Sequence, residues 1–195
     1  MKNICMCWTL TLSAVFGLSS VALQAEPVVY EIDPSHTYPS FEADHMGGLS
    51  VWRGKINSSS GTVVLDKEAE TGTLTVVMDM STIDFGFGPM SEHAMTADMF
   101  DVSNYPTATY QGTLNSFADG APTKISGELT MHGVTLPVDL SIDRFLCRAE
   151  DEKEVCGALA TTSIDRSDFG VDFGAPLFDM NVLLRISIEA ASSSM

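Results

Sequence analysis

The chain has 195 residues, with 26 Asp and Glu against 10 Lys and Arg and a formal charge of −16. That excess of carboxylate excludes nucleic acid and anionic membrane surfaces as partners, because both are bound by cations that neutralise phosphate. The length suits one domain with a single sizeable core.

Met1, Lys2 and Asn3 precede an apolar stretch from Ile4 to Leu23, and small residues stand at Ala22 and Ala25 before Glu26 and Pro27. This is the pattern of a cleaved secretory signal peptide over residues 1–25, with Ala22 as the alternative last residue. Thr9, Thr11, Ser13, Gly17, Ser19 and Ser20 interrupt the stretch, which makes it short and polar for a retained span, and no later segment is apolar enough for one. Export is therefore expected, with no stable membrane insertion. No cysteine follows either cut, which argues against a lipid anchor. Lys2 is the only charge removed, so the mature domain, 26–195, has 170 residues and a formal charge of −17.

Strand signals follow at Val28 to Ile32, Pro39 to His45 and Val51 to Leu65, the last crossed by the turn cluster Asn57-Ser58-Ser59-Ser60-Gly61. Leu74, Val76, Met78 and Met80 then alternate with Thr75, Val77 and Asp79, giving a strand with one apolar face. Ser91 to Phe100 is the one segment expected to be helical, as a connector after Pro89. Further strands are expected at Thr107 to Leu114, at Lys124 to Met131 beyond an Asp119-Gly120 turn, at Val138 to Ile142, at Ala158 to Ile164 and at Val182 to Ile188. Eight to ten strands without a βαβ rhythm make an all-β domain, either a closed barrel or a sandwich.

Cys5 and Cys7 leave with the signal, so the exported protein keeps Cys147 and Cys156. They flank the polar run Arg148 to Glu154, which reads as a hairpin loop, and an oxidising compartment favours a structural disulfide across it.

Candidates for chemistry are sparse. His36, His45, His93 and His132 lack metal-ligand spacing, and no metal site is expected. Asp33, His36 and His45 lie close enough in sequence to form a carboxylate-imidazole cluster, which with His93 would serve an alternative reading as a lipid-modifying enzyme. There is no Gly-x-Ser-x-Gly elbow, and Gly86-Phe87-Gly88 lacks the pattern of a nucleotide loop, so no catalytic residue and no obligatory cofactor is assigned. Met80, Phe85, Phe87, Met90, Met95, Met99 and Phe100 gather around the connector, and such side chains suit irregular apolar ligands as well as ordinary cores.

Four blocks carry a resemblance: Ile32-Asp33-Pro34-Ser35-His36 with Phe41-Glu42-Ala43-Asp44-His45-Met46-Gly47; Glu92-His93 through Tyr105-Pro106-Thr107; Gly127 through Val138; and Ile164-Asp165-Arg166-Ser167-Asp168-Phe169-Gly170. In order and spacing the chain resembles the YceI-like family of bacterial periplasmic proteins. The resemblance implies an extended eight-stranded antiparallel lipocalin-like barrel that holds a polyisoprenoid or isoprenoid quinone, and it decides between barrel and sandwich. Gly48 to Trp52, Ala94-Met95 and Met99 depart from the family pattern in segments expected near ligand.

The family blocks, the alternating apolar faces and the excess of Met and Phe together direct the lining of the tunnel or its mouth to Phe41, Ala43, His45, Val76, Met78, Met80, Phe85, Phe87, His93, Met95, Phe100 and Phe169. His45 and His93 are the candidates to meet a polar head group. The expected role is binding, transport or storage of that lipid without chemistry on it. An extended barrel also leaves room for a homodimer, or for handing a quinone to a membrane redox protein.

Overall fold

The computed structural model describes residues 26–193; the expected signal peptide lies outside them. Among the described residues no helix is long and apolar enough to cross a membrane. The strands form one antiparallel sheet that closes on itself as a barrel of eight strands, several of them broken into two segments.

The first barrel strand is β1 (Val28–Ile32) followed by β2 (Tyr38–His45). The second is β3 (Ser50–Ile56) followed by β4 (Ser59–Asp66), so the Val51 to Leu65 signal is split by a turn of only Asn57 and Ser58. The third is β5 (Thr71–Asp79), a 3-10 turn over Met80–Thr82, and β6 (Ile83–Asp84). A connector containing α1 (Gly88–Ala94) leads to β7 (Thr107–Ala118) and β8 (Ala121–Met131). Then come β9 (Val134–Pro137) continued by β10 (Leu140–Glu150), β11 (Lys153–Asp165), a 3-10 turn over Arg166–Phe169, and β12 (Asn181–Ser192). The last strand closes the ring on both halves of the first, from Tyr30 opposite Ser192 to Ala43 opposite Val182.

The breaks let a long sheet curve. Between β9 and β10 the ladder is interrupted at Val138, whose carbonyl accepts the Tyr110 hydroxyl at 2.8 Å. The Tyr110 ring lies so close over Gly127 that a Cβ there would stand 2.6 Å from its Oη. Burial pushes the Tyr110 hydroxyl up, so it stays a neutral donor.

Two sequence expectations are corrected. The helix begins at Gly88 and ends at Ala94, not Ser91 to Phe100, because Pro89 suits the first helical turn. After Ala94 the chain instead makes tight turns, with Phe100 N–H on the Ala94 carbonyl and Val102 N–H on that of Met95. The run Arg148 to Glu154 is mostly strand: only Asp151 and Glu152 turn, and Asp151 has the positive φ of 53° that such a tight turn requires. Cys147 and Cys156 are directly opposite one another on the two strands and form a disulfide.

Inside the barrel, Tyr30, Leu65, Leu114, Cys156 and Ala190 are buried together and fill one end. A second cluster, including Ile56, Met80, Ile83 and Ala94, seats the connector against the wall. The middle and the opposite end are not filled by side chains.

Candidate functional site

The unfilled part is a cavity of about 430 Å³. Its deep wall comes from the inward faces of the strands: Leu74, Val76 and Met78 on β5, and Val182, Leu184, Ile186 and Ile188 on β12. These are the alternating positions that a period of two turns to one side. Ala158 and Ala160 on β11 leave space that larger residues would occupy. The ring of Phe41 on β2 lies directly across Gly54 of β3, where a Cβ would come within 2.4 Å of its Cζ, so glycine at that position lets the ring lie flat on the wall. Phe41 also meets Phe85 edge-on at 5.2 Å.

Polar groups collect at the open end. His45 stands between Trp52 and Phe178, with ring centroids at 4.9 and 5.6 Å, and its Nδ1 is 3.2 Å from Ser50 Oγ. His93 on α1 meets the edge of Phe173 at 4.8 Å. The Asp44 carboxylate accepts the backbone N–H groups of Asp179, Gly48 and Gly47, which ties the β2–β3 turn to the loop before β12. Those bonds, led by the one from Asp179, hold its carboxyl below the ordinary value. Arg166, 8% exposed, donates from its two terminal nitrogens to the carbonyls of Val171 and Phe173 at 2.6 and 2.7 Å. Burial depresses its guanidinium pKa, against the opposing pull of Asp165 and Asp172.

Of the twelve residues expected at the lining, nine lie on this wall: Phe41, Ala43 and His45 on β2; Val76, Met78 and Met80 on or just after β5; and Phe85, His93 and Phe100 around the connector. Three do not. Phe87 precedes α1 and is 58% exposed, Met95 packs into the second core cluster, and Phe169, 2% exposed, is taken up by the main core. Phe87 stands before the helix, while α1 itself turns Met90 and His93 to the cavity; Phe169 ends the 3-10 turn whose first residue, Arg166, reaches it.

Trp52, Phe173, Phe178 and Arg166 also stand on the wall, outside the sequence expectation. Trp52 had a signal, since Arg53 and Lys55 mark the outer face of β3 and so turn Trp52, Gly54 and Ile56 inward. The other three lie in or beside the 166–180 segment, which has no strand period to read.

The Asp-His cluster of the enzyme alternative does not assemble. Asp33 and His36 pair with each other at 2.7 Å on an exposed turn. His45 lies at the other end of β2, about 23 Å along the strand from Tyr38. The one grouping of candidate metal ligands among the described residues is Cys147, Glu154 and Cys156, whose two sulfurs are already bonded to each other. The arrangement is that of a binding site for an apolar molecule, walled mainly by hydrocarbon, closed at one end and with its charged and imidazole side chains at the mouth.

A family profile described as the YceI-like domain matches residues 30–190. The chain belongs to the YceI-like family. Among its curated relatives, a UPF0312 protein of Pseudomonas aeruginosa is 27% identical over 186 residues, 93% of this chain and 96% of that one. One from Vibrio parahaemolyticus is 27% identical over 151 residues, 76% and 79% of the two chains. Among solved structures, BcnA of Burkholderia cenocepacia superposes with a TM-score of 0.65 at 19% identity, covering 81% of this chain and 98% of that one. A polyisoprenoid binding domain from Saccharophagus degradans gives 0.62 at 15% identity, covering 85% and 99%. The two solved structures share the barrel, and at these identities they bear on its fold alone.

Proposed function

We propose that this YceI-like protein binds a long apolar amphiphile, a polyisoprenoid or isoprenoid quinone, in its barrel, and carries or stores it in the periplasm without transforming it. The observation that carries this reading is the cavity: a blind, hydrocarbon-walled space of about 430 Å³ in a domain whose far end is packed solid. Removing a five-carbon isoprene unit from water is worth roughly 3 to 4 kcal/mol. Three such units offset much of the cost of association with no charged contact at all. His45, His93 and Arg166 at the mouth supply the polar groups for a head group. The name of the Saccharophagus degradans domain supports the same ligand class, and the leader-like residues 1–25 together with the disulfide support an oxidising, exported location. No catalytic residue is needed for this role, and the Asp33–His36 pair takes no part in it.

The test is native mass spectrometry of the protein expressed with its leader in a bacterial host, followed by solvent extraction. The expected result is one polyprenyl or quinone species per chain. Met78→Asp sets a charge in the wall, and Ala158→Phe fills the cavity with a ring while adding no charge; both are expected to lose the cargo. A wild-type protein that is empty and takes up no added polyprenol or quinone sinks the proposal.

A further inference from the structure

The mouth of the cavity carries apolar side chains on its outside as well. Leu49, at the β2–β3 turn, is 79% exposed and Leu177, in the loop before β12, 57%; Phe87 before α1 and Phe173 are exposed beside them. These segments adjoin one another. A Cβ on Gly47 would stand 3.3 Å from the Leu177 carbonyl oxygen, Asp44 accepts the Asp179 N–H, and Phe173 rests on His93 of α1. The exposed groups therefore belong to one rim, continuous with the cavity.

The charge on this end is one-sided. Residues 46–50, 85–106, 132–133 and 166–180 contain Glu92, Asp98, Asp101, Asp168, Asp172 and Asp179, and their only Lys or Arg is the buried Arg166. Among the described residues none of these six carboxylates is in an ion pair. A second copy would set six carboxylates against six, and an anionic bilayer would be repelled in the same way. Exposed apolar side chains on segments that also carry carboxylates without an ion-pair partner complement an apolar surface bordered by cations.

We propose that this rim is a docking surface for a partner protein that presents an apolar helix face bordered by lysines or arginines. That docking serves the transfer of cargo rests on the carrier reading; the docking itself does not.

The probe is a fluorescent synthetic helical peptide with a leucine face bordered by lysines, titrated by anisotropy against the purified protein. Binding is expected to weaken with salt and to fall about tenfold or more in the Leu49→Ser, Leu177→Ser double variant. Both positions are exposed, and an unchanged melting temperature certifies the fold. Equal binding by the double variant means attraction by charge alone and overturns the proposal. So does rim-dependent binding to neutral phosphatidylcholine vesicles without peptide binding, or concentration-dependent dimerisation abolished by the same two changes. A protein that docks the peptide yet never holds a polyprenol or quinone refutes the carrier reading and leaves the docking surface standing.

Discussion

The hydroxyl of Tyr30 donates to Glu154 Oε2 at 2.5 Å, joining β1 to β11 across the edge of β12. Lys67 Nζ takes the other oxygen at 2.6 Å, and the Glu154 N–H donates to Ser192 Oγ, so four separate parts of the chain meet at the solid end of the barrel. Burial alone would raise the Glu154 carboxyl; the bonds from Lys67 and Tyr30 together outweigh it and hold it below the ordinary glutamate value.

A lowered carboxyl contributes stability that is present above its unfolded pKa, about 4.3, and lost as pH falls through the folded value. Tyr30→Phe is therefore expected to cost about 1 to 2 kcal/mol at pH 7 and less at pH 3.5. Urea unfolding at the two pH values checks this. An equal loss at both would assign the effect to packing of the 1% exposed ring and not to the ionised carboxylate.

The disulfide should act on the unfolded chain. Cys147 and Cys156 are nine residues apart and already opposite each other in the ladder, so reduction removes little from the folded state and releases a short loop in the unfolded one. In the chain-entropy picture the loss is about 2 to 3 kcal/mol. Cys147→Ala with Cys156→Ala is expected to lower the unfolding free energy by that amount, and the midpoint with it, and to leave cargo retention intact, because the pair lies beyond the closed end of the cavity. Loss of cargo together with a native midpoint would contradict that separation.

Much of this architecture was legible because period-two alternation is a property of neighbouring residues. Leu74, Val76 and Met78, or Val182 through Ile188, announce their inner face with no tertiary information. The breaks at Asp33–Thr37 and Val138 were not legible, since they depend on what the other strand offers: the Asp33 N–H finds the Glu189 carbonyl, and Tyr110 finds that of Val138. The mouth was the hardest part. An arginine in a loop normally faces water, and only the carbonyls of Val171 and Phe173, placed by the fold, make burial of Arg166 tolerable.

Asp33 and His36 offer a check on the non-enzymatic reading. The bond from His36 comes first among the causes that lower the Asp33 carboxyl to about 2, and the same bond raises the imidazole. The contribution of the pair is therefore whole between the unfolded values of about 3.9 and 6.5. It fades as pH rises through the raised imidazole value and as pH falls through about 2. Because the pair is solvent-facing, Asp33→Asn and His36→Gln should lower the melting temperature slightly at pH 6 and less at pH 8.5, with no change in cargo retention at either. A lost or chemically altered cargo in these variants would revive a catalytic role.

Arg166 ties binding to the geometry of the mouth. Its guanidinium spans two carbonyls of one loop, which holds Phe173 against His93 at the cavity entrance. Val171 is buried, so truncating Arg166 leaves its carbonyl without a partner and without water. We expect Arg166→Met to cost about 2 to 4 kcal/mol and to speed cargo release, because the loop that closes the mouth loses its tether. Arg166→Lys should restore little, since one ammonium lacks the planar fork that reaches both carbonyls. Thermal unfolding and the dissociation rate of a bound polyprenol are to be read together. A lysine variant with native stability and native release would mean that charge alone is required, and that the two-carbonyl geometry does not hold the mouth.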